Sequence, residues 1–343
     1  MQNRRSALAC CGRCAGPEVA ARIARRQHLK SAVFPQLAQH RPNGAHNENS
    51  HWAHREHPHA LIGAVLDVSP QILVIASGGR ERRLTLTNGA AAWRGELLEP
   101  TVLHTGERVV ARLLPGRSSV ADKVWASIGR VAGTIVECTA DTLVVDEGIT
   151  KPRQIVVIAA RAANRIRVRF PQLEPGNLID LIGLRHGAAL EALLPATSQP
   201  AYLAGRVNRA SAAARPSTDA IRGSATWHEP AGPDEEPHGV AYPAIDPAAG
   251  CAEAAVGGPA SAVLPYLSVG SLLHIGNECT GASRVLPITG CGAVARLFHD
   301  RCLTCGTSPR ARVADLTLAS FVDLGGDLER GCFNATIAPG LRQ

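Results

Sequence analysis

The chain is 343 residues long, 45% hydrophobic but only 3% aromatic, with a formal charge of +7. That length holds two or three domains, and no run of 18 apolar residues exists to make a membrane-spanning helix. With 33 glycines and 23 prolines, and apolar content dominated by Ala and Val, the composition favours short strands joined by turns over long helices.

Charge is unevenly placed. Residues 1–60 carry 9 Lys/Arg against 3 Asp/Glu, residues 61–221 carry 19 against 14, and residues 222–343 carry 8 against 12. A nucleic-acid binder places its positive charge on a folded face beside aromatics or a known module. Here the excess lies in the first segment, which reads as a disordered basic, His-rich tail, so nucleic acid is not an expected partner. The opening "MQNRRSALACCGRCAG" has too short an apolar core for a secretory signal, although "ALAC" has the look of a lipoprotein cleavage site. The stretch "QHRPNGAHNENSHWAHREHPHA" shows no periodicity; the alternative to a polar leader is a metal-holding His tract. "CCGRC" lacks a fourth ligand at firm spacing.

Residues 61–194 hold a tandem repeat. "GAVLDVSPQILVIA" (63–76) aligns with "GTIVECTADTLVVD" (133–146), and "HTGERVVARL" (104–113) with "EPGNLIDLIG" (174–183), both at an offset of 70. Alternation and β-branched content predict strands throughout. The expectation is two small OB-like β-barrels, 61–126 and 127–194, of four or five strands each. No aromatic platform is shared between the copies, because Trp93 is matched by Ala163. They read as spacer or protein-contact modules. Cys138 sits within a strand pattern and reads as a small core residue.

An Ala/Ser/Pro/Arg-rich linker (195–223) precedes a third domain, 224–343, which opens at "ATWHEP" and continues into an acidic, Pro-rich loop. "GSLLHIGN" (270–277) and "SRVLPITG" (283–290) form a predicted hairpin, and "GCFNATI" (331–337) a closing strand. Apolar residues at 316, 318, 321 and 324, with Gly325-Gly326 as a stop, predict a short amphipathic helix that Asp315 would cap. Six cysteines, Cys251, Cys279, Cys291, Cys302, Cys305 and Cys332, fall within about eighty residues. An even count in a compact region marks a disulfide-stapled exported domain, with 15 possible pairings. Two alternatives remain for "HDRCLTC": zinc held by His299, Cys302, Cys305 and Cys291 or Cys332, or a redox pair. The Gly306, Ser308 and Pro309 that follow disfavour the helix start a redox pair needs.

The order Leu264-Pro265-Tyr266, Asn277, Thr280-Gly281, Asp300-Arg301-Cys302, Cys305 and Asp315-Leu316-Thr317 resembles the six-stranded double-psi β-barrel of the expansin-like and rare lipoprotein A-like group. The likeness covers residues 224–338, a third of the chain. It implies an extracellular or cell-envelope protein that binds wall polysaccharide such as peptidoglycan, with Asp300 and Asp315 at the rim of one groove. It also implies a possible weak lytic transglycosylase-like activity, Asp315 acting as acid and Asp300 facing the charge at the sugar. The group's catalytic His before the Leu-Pro turn is missing here, where "SAVLP" stands. His228 or Glu229 is the candidate replacement. Tyr266, Trp227 and Tyr242 would supply stacking surface, with Arg301 as a further ligand contact. No cofactor or metal is expected, and oligomeric state is left open. The alternative is a non-enzymatic structural or adaptor protein built from β-barrel modules.

Overall fold

In the computed structural model the described residues are 60–148, 151–196, 220–230, 238–245, 264–306 and 308–340, and they form three closed β-barrels. The tail, the acidic loop after His228, most of the linker and Cys251 lie outside the described residues. No helix among the described residues is long and apolar enough to cross a membrane.

The first barrel contains β1 (Ala60–Val68), β2 (Ile72–Ser77), β3 (Arg80–Trp93), a two-residue appendage β4 (Leu97–Leu98), β5 (Arg108–Leu113) and β6 (Val120–Ala126). Its order is β2-β1-β5-β6-β3, closed by β2–β3, with β3–β6 the parallel pair. The second contains β7 (Ile128–Cys138), β8 (Thr142–Asp146), β9 (Gln154–Ile158), the helix α1 (Ala163–Arg169), β10 (Leu178–His186) and β11 (Ala189–Pro195). Its order, β8-β7-β10-β11-β9, repeats that plan, and β9–β11 is again parallel. In both copies the first strand pairs with the second and fourth, and the third runs parallel to the fifth: the Greek-key plan of an OB-like barrel.

The offset of 70 holds at atomic detail. A Cβ on Gly63 would collide with the carbonyl of Ala76, and one on Gly133 with the carbonyl of Asp146. Gly106 and Gly176 both take positive φ, 85° and 92°, where a side chain is strained. The fifth strand of each copy was not legible from alternation. Val124, Trp125 and Ala126 at the end of β6 are all buried, because that strand faces its own barrel on one side and a neighbour on the other. Cys138, expected in the core, is exposed at the end of β7.

The third barrel contains β12 (Ile221–His228), β13 (Val240–Tyr242), β14 (Leu272–Asn277), β15 (Ser283–Cys291), the short β16 (His299–Asp300), β17 (Arg310–Thr317), the helix α2 (Leu318–Asp323) and β18 (Cys332–Pro339). Six strands close in the order β12-β18-β14-β15-β13-β17, and β16 hangs on β17. The parallel pairs are β12–β17 and β13–β15. With the six numbered in chain order, replacing each strand by the one three further along reproduces every pairing and its direction. That internal two-fold, with two crossed parallel connections, is the double-psi plan.

One local expectation changes here. Asp315 does not cap a helix; it lies within β17, and Thr317 caps α2 by accepting from the Ser320 N–H. Every residue of α2 is buried, so the apolar spacing that suggests an amphipathic helix belongs to one enclosed on all sides.

The third barrel's apolar core continues onto the outer faces of the other two, through Trp93, Val110 and Trp125 of the first and Ile128, Ile182, Leu184 and Leu193 of the second. Around that seam Arg112 bonds Asp327 at 2.8 Å, Lys123 pairs with Asp327 and Glu329, and the Trp125 indole donates to Glu329 at 2.5 Å. Full burial of each large side chain contributes about 1.5–3 kcal/mol, and the three barrels therefore pack as one body.

Candidate functional site

Asp300 is at no rim. It has no exposed surface, and its carboxylate accepts two bonds from Arg312, Nε at 2.9 Å and Nη2 at 2.8 Å, and one from the Ser224 hydroxyl at 2.7 Å. The Arg312 Nη2 also donates to Asp180 at 2.6 Å, and Asp180 accepts a bidentate pair from Arg130 at 2.8 and 2.6 Å. Arg130 Nη1 is further used by the carbonyls of Trp227 and Gly331. Two carboxylates and two guanidiniums thus neutralise one another at the contact of the second and third barrels. Burial alone would lower the Arg312 pKa; Asp300 and Asp180 reverse this and hold it above its ordinary value. With its acceptor capacity taken by protein donors, Asp300 has a structural place.

Asp315 is different. Its side chain keeps 20% exposure, accepts from Thr226 at 2.7 Å and lies 3.7 Å from Nδ1 of His228, whose side chain is 10% exposed. The parallel register of β12 and β17 sets Thr226 opposite Asp315 and His228 opposite Thr317, which brings the three together. Burial pushes the Asp315 pKa up, but His228, then Arg312, Arg130 and the Thr226 hydroxyl, outweigh it, and the net is a lowered value. A carboxyl held ionised in this way is unsuited to the acid role, which needs a raised pKa.

Glu229, the other candidate partner, is turned to the second barrel: it takes Arg185 Nε at 2.8 and 2.9 Å and the Arg130 N–H at 2.6 Å. Trp227 and Tyr242, expected as stacking surface, are both fully buried; the Trp227 indole donates to the Leu328 carbonyl and the Tyr242 hydroxyl to that of Pro265. Both sit at inward strand positions, and their polar tips have partners within the protein. Tyr266 is 52% exposed, and Arg301 is exposed as well. Of the candidate residues, Tyr266 and Arg301 are exposed and Asp315 and His228 keep a small part of their surface, while Asp300, Trp227 and Tyr242 keep none and Glu229 is taken by Arg185.

The cysteines also depart from a six-member disulfide set. Cys279 is bonded to Cys305, and Cys291 is disulfide-bonded too, while Cys302 and Cys332 are buried free thiols. The Cys332 thiol is pushed well above its ordinary pKa by burial, reinforced by Asp300 and Cys302. Neighbouring Cys-x-x-Cys residues can each reach Cys279, and only one can be its partner. The Cys302 sulfur lies 3.5 Å from that of Cys279.

Arg130, Asp180 and Arg312 do not stand out in a linear reading. One signal marks Asp180: its counterpart 70 residues earlier is Val110, so a charge occupies a core position that the sister repeat fills with a hydrophobe. No protein-family model matches the chain, and no curated protein matches its sequence.

Proposed function

We propose that the chain is a cell-envelope or extracellular protein whose double-psi barrel binds wall polysaccharide, in the expansin-like manner, without cleaving it. The reading rests on one observation: among the described residues Asp300 is consumed by the buried Arg312 pair, leaving Asp315, its pKa held below the ordinary value, without that carboxyl as a partner. Glycan hydrolysis by carboxylates needs a raised-pKa acid and a second group opposite it, and a lytic route also needs the acid, a role the lowered pKa of Asp315 does not suit. Binding needs only donors, acceptors and an aromatic face, which Asp315, His228, Arg301 and Tyr266 supply. The Cys279–Cys305 disulfide supports an oxidising compartment. The two OB-like barrels, packed on the third through a shared apolar core, serve as its platform.

The test is co-sedimentation of the full chain with insoluble peptidoglycan and with cellulose, followed by analysis of the supernatant for sugars. The chain is expected in the pellet of at least one polymer, with no soluble products. Release of anhydro-sugars would replace the reading with a lytic transglycosylase. The burial of Trp227 and Tyr242, which leaves Tyr266 as the one exposed member of the proposed stacking set, favours a second reading, a non-enzymatic adaptor. Absence from both pellets would select it.

A further inference from the structure

We propose that the loop 302–305 and the β14–β15 turn form a thiolate site for a zinc ion, closed by the Cys279–Cys305 disulfide and opened by its reduction. The sulfur of Cys302 lies 3.5 Å from that of Cys279 and 3.7 Å from that of Cys305. The three sulfurs all fall within 4.8 Å of one another. Two nearly equal distances put Cys302 beside the disulfide and off its axis. In-line displacement at sulfur needs the attacking thiolate beyond one end of the bond, so this placement is poor for thiol–disulfide exchange. It suits three ligands around a common centre. Tetrahedral zinc with Zn–S of ~2.3 Å requires sulfur–sulfur edges of ~3.8 Å. Two edges are already close to that length, and the third is the disulfide bond itself.

The thiols are held by two separate turns. The Cys279 N–H donates to Asn277 Oδ1 at 2.8 Å, and Asn277 is anchored in turn through Nδ2 to the Leu324 carbonyl at 2.8 Å. The Thr304 N–H donates to the Cys302 sulfur at 3.4 Å, an outer contact that fixes the sulfur's position. Cys305 is exposed and Cys279 half-buried, which gives an ion its path, while Cys302 is buried behind them. His299, a ligand candidate from spacing alone, is not in the group; Cys279 takes its place.

The chemistry balances as follows. A dithiol reductant passes two electrons and two protons to the Cys279–Cys305 bond, giving two thiols and its own internal disulfide. Zinc then displaces one proton from each of Cys279, Cys302 and Cys305, and water fills the fourth position.

The experiment uses the full chain with Cys10→Ser, Cys11→Ser and Cys14→Ser, so that the leader adds no thiolates. Zn2+ is titrated against a chromogenic chelator before and after phosphine reduction, and Co2+ replaces it for spectroscopy. The reduced chain is expected to bind one equivalent, with a thiolate-to-cobalt charge-transfer band, and the oxidised chain none at this site. Loss of outer-shell partners already weakens metal binding 10–100-fold, so Cys302→Ser, which loses a ligand, is expected to weaken it by more than about tenfold. Cys138→Ser is expected to change nothing. Unaltered uptake in Cys302→Ser, or no uptake by the reduced chain, would overturn the proposal. Cys302→Ser keeps the disulfide, so its fold is checked in the oxidised state by thermal melting. Should reduction loosen the third barrel, Zn2+ is expected to restore its near-UV signal, and failure to do so counts against the site.

Discussion

Replacing Asp180 with Ala is the most direct probe of how the second barrel is fastened to the third. The residue has no exposed surface and accepts three charge-assisted bonds, two from Arg130 and one from Arg312. Its loss leaves two buried guanidiniums facing one carboxylate, Asp300. Arg312 retains its bidentate pair, but Arg130 loses its directly bonded carboxylate and keeps the carbonyls of Trp227 and Gly331. Breaking a buried pair from one side costs about 3–5 kcal/mol, which at about 2–4 °C per kcal/mol lowers Tm by roughly 6–20 °C. Differential scanning calorimetry reads this, and the loosened junction should also split the melt into two transitions. The paired change Arg130→Met with Asp180→Leu removes both charges and is expected to recover most of the loss, because an apolar pair of similar volume avoids the desolvation cost. A Tm drop under about 2 °C for Asp180→Ala, corresponding to less than about 1 kcal/mol, would refute the reading of a junction locked by buried charge.

Other residues give independent checks. Trp227→Ala, in the third core, should cost about 3–5 kcal/mol in denaturant melts, whereas Tyr266→Ala should leave the melt unchanged and reduce polymer co-sedimentation. Gly63→Ala and Gly133→Ala drive a Cβ against equivalent carbonyls and should each destabilise by about 1–3 kcal/mol, while Gly89→Ala meets open space and should stay within about 0.5 kcal/mol. Asp315 has a folded-state pKa below its ordinary 3.8, so its ionised form stabilises the fold above that value and the contribution fades as pH falls through the lower one. Urea melts of Asp315→Asn should therefore show a deficit at pH 7 that begins to close only below about pH 4 and vanishes below the lowered folded-state value.

Much of the architecture is local in origin. Strand content, the repeat and its offset of 70 follow from patterns that backbone sterics and side-chain alternation impose over short spans: Gly63 and Gly133, Gly106 and Gly176, and the hairpin of β14 and β15. Strands buried on both faces escape such a reading, as β6 does, because enclosure by a second barrel erases alternation. The cap of α2 moved from Asp315 to Thr317 for a similar reason. A parallel partner strand, β12, extended β17 through Asp315, and that pairing joins residues some ninety positions apart.

The candidate site depended almost wholly on such distant pairings. Residue type alone marks Asp300 and Asp315 as alike, since each is a carboxylate in a predicted β-rich segment. What separates them is the approach of Arg312, Asp180 and Arg130 to one and of Thr226 and His228 to the other. The cysteine count established that disulfides were within reach, but partner choice is a matter of which sulfur the folded turns bring closest. Sequence by itself determined that this chain is a string of small β-barrels, because periodicity is a near-neighbour property. Only the tertiary structure decided which charged groups are buried in ion pairs and which face solvent, because desolvation and ion pairing depend on groups that the chain brings together from far apart.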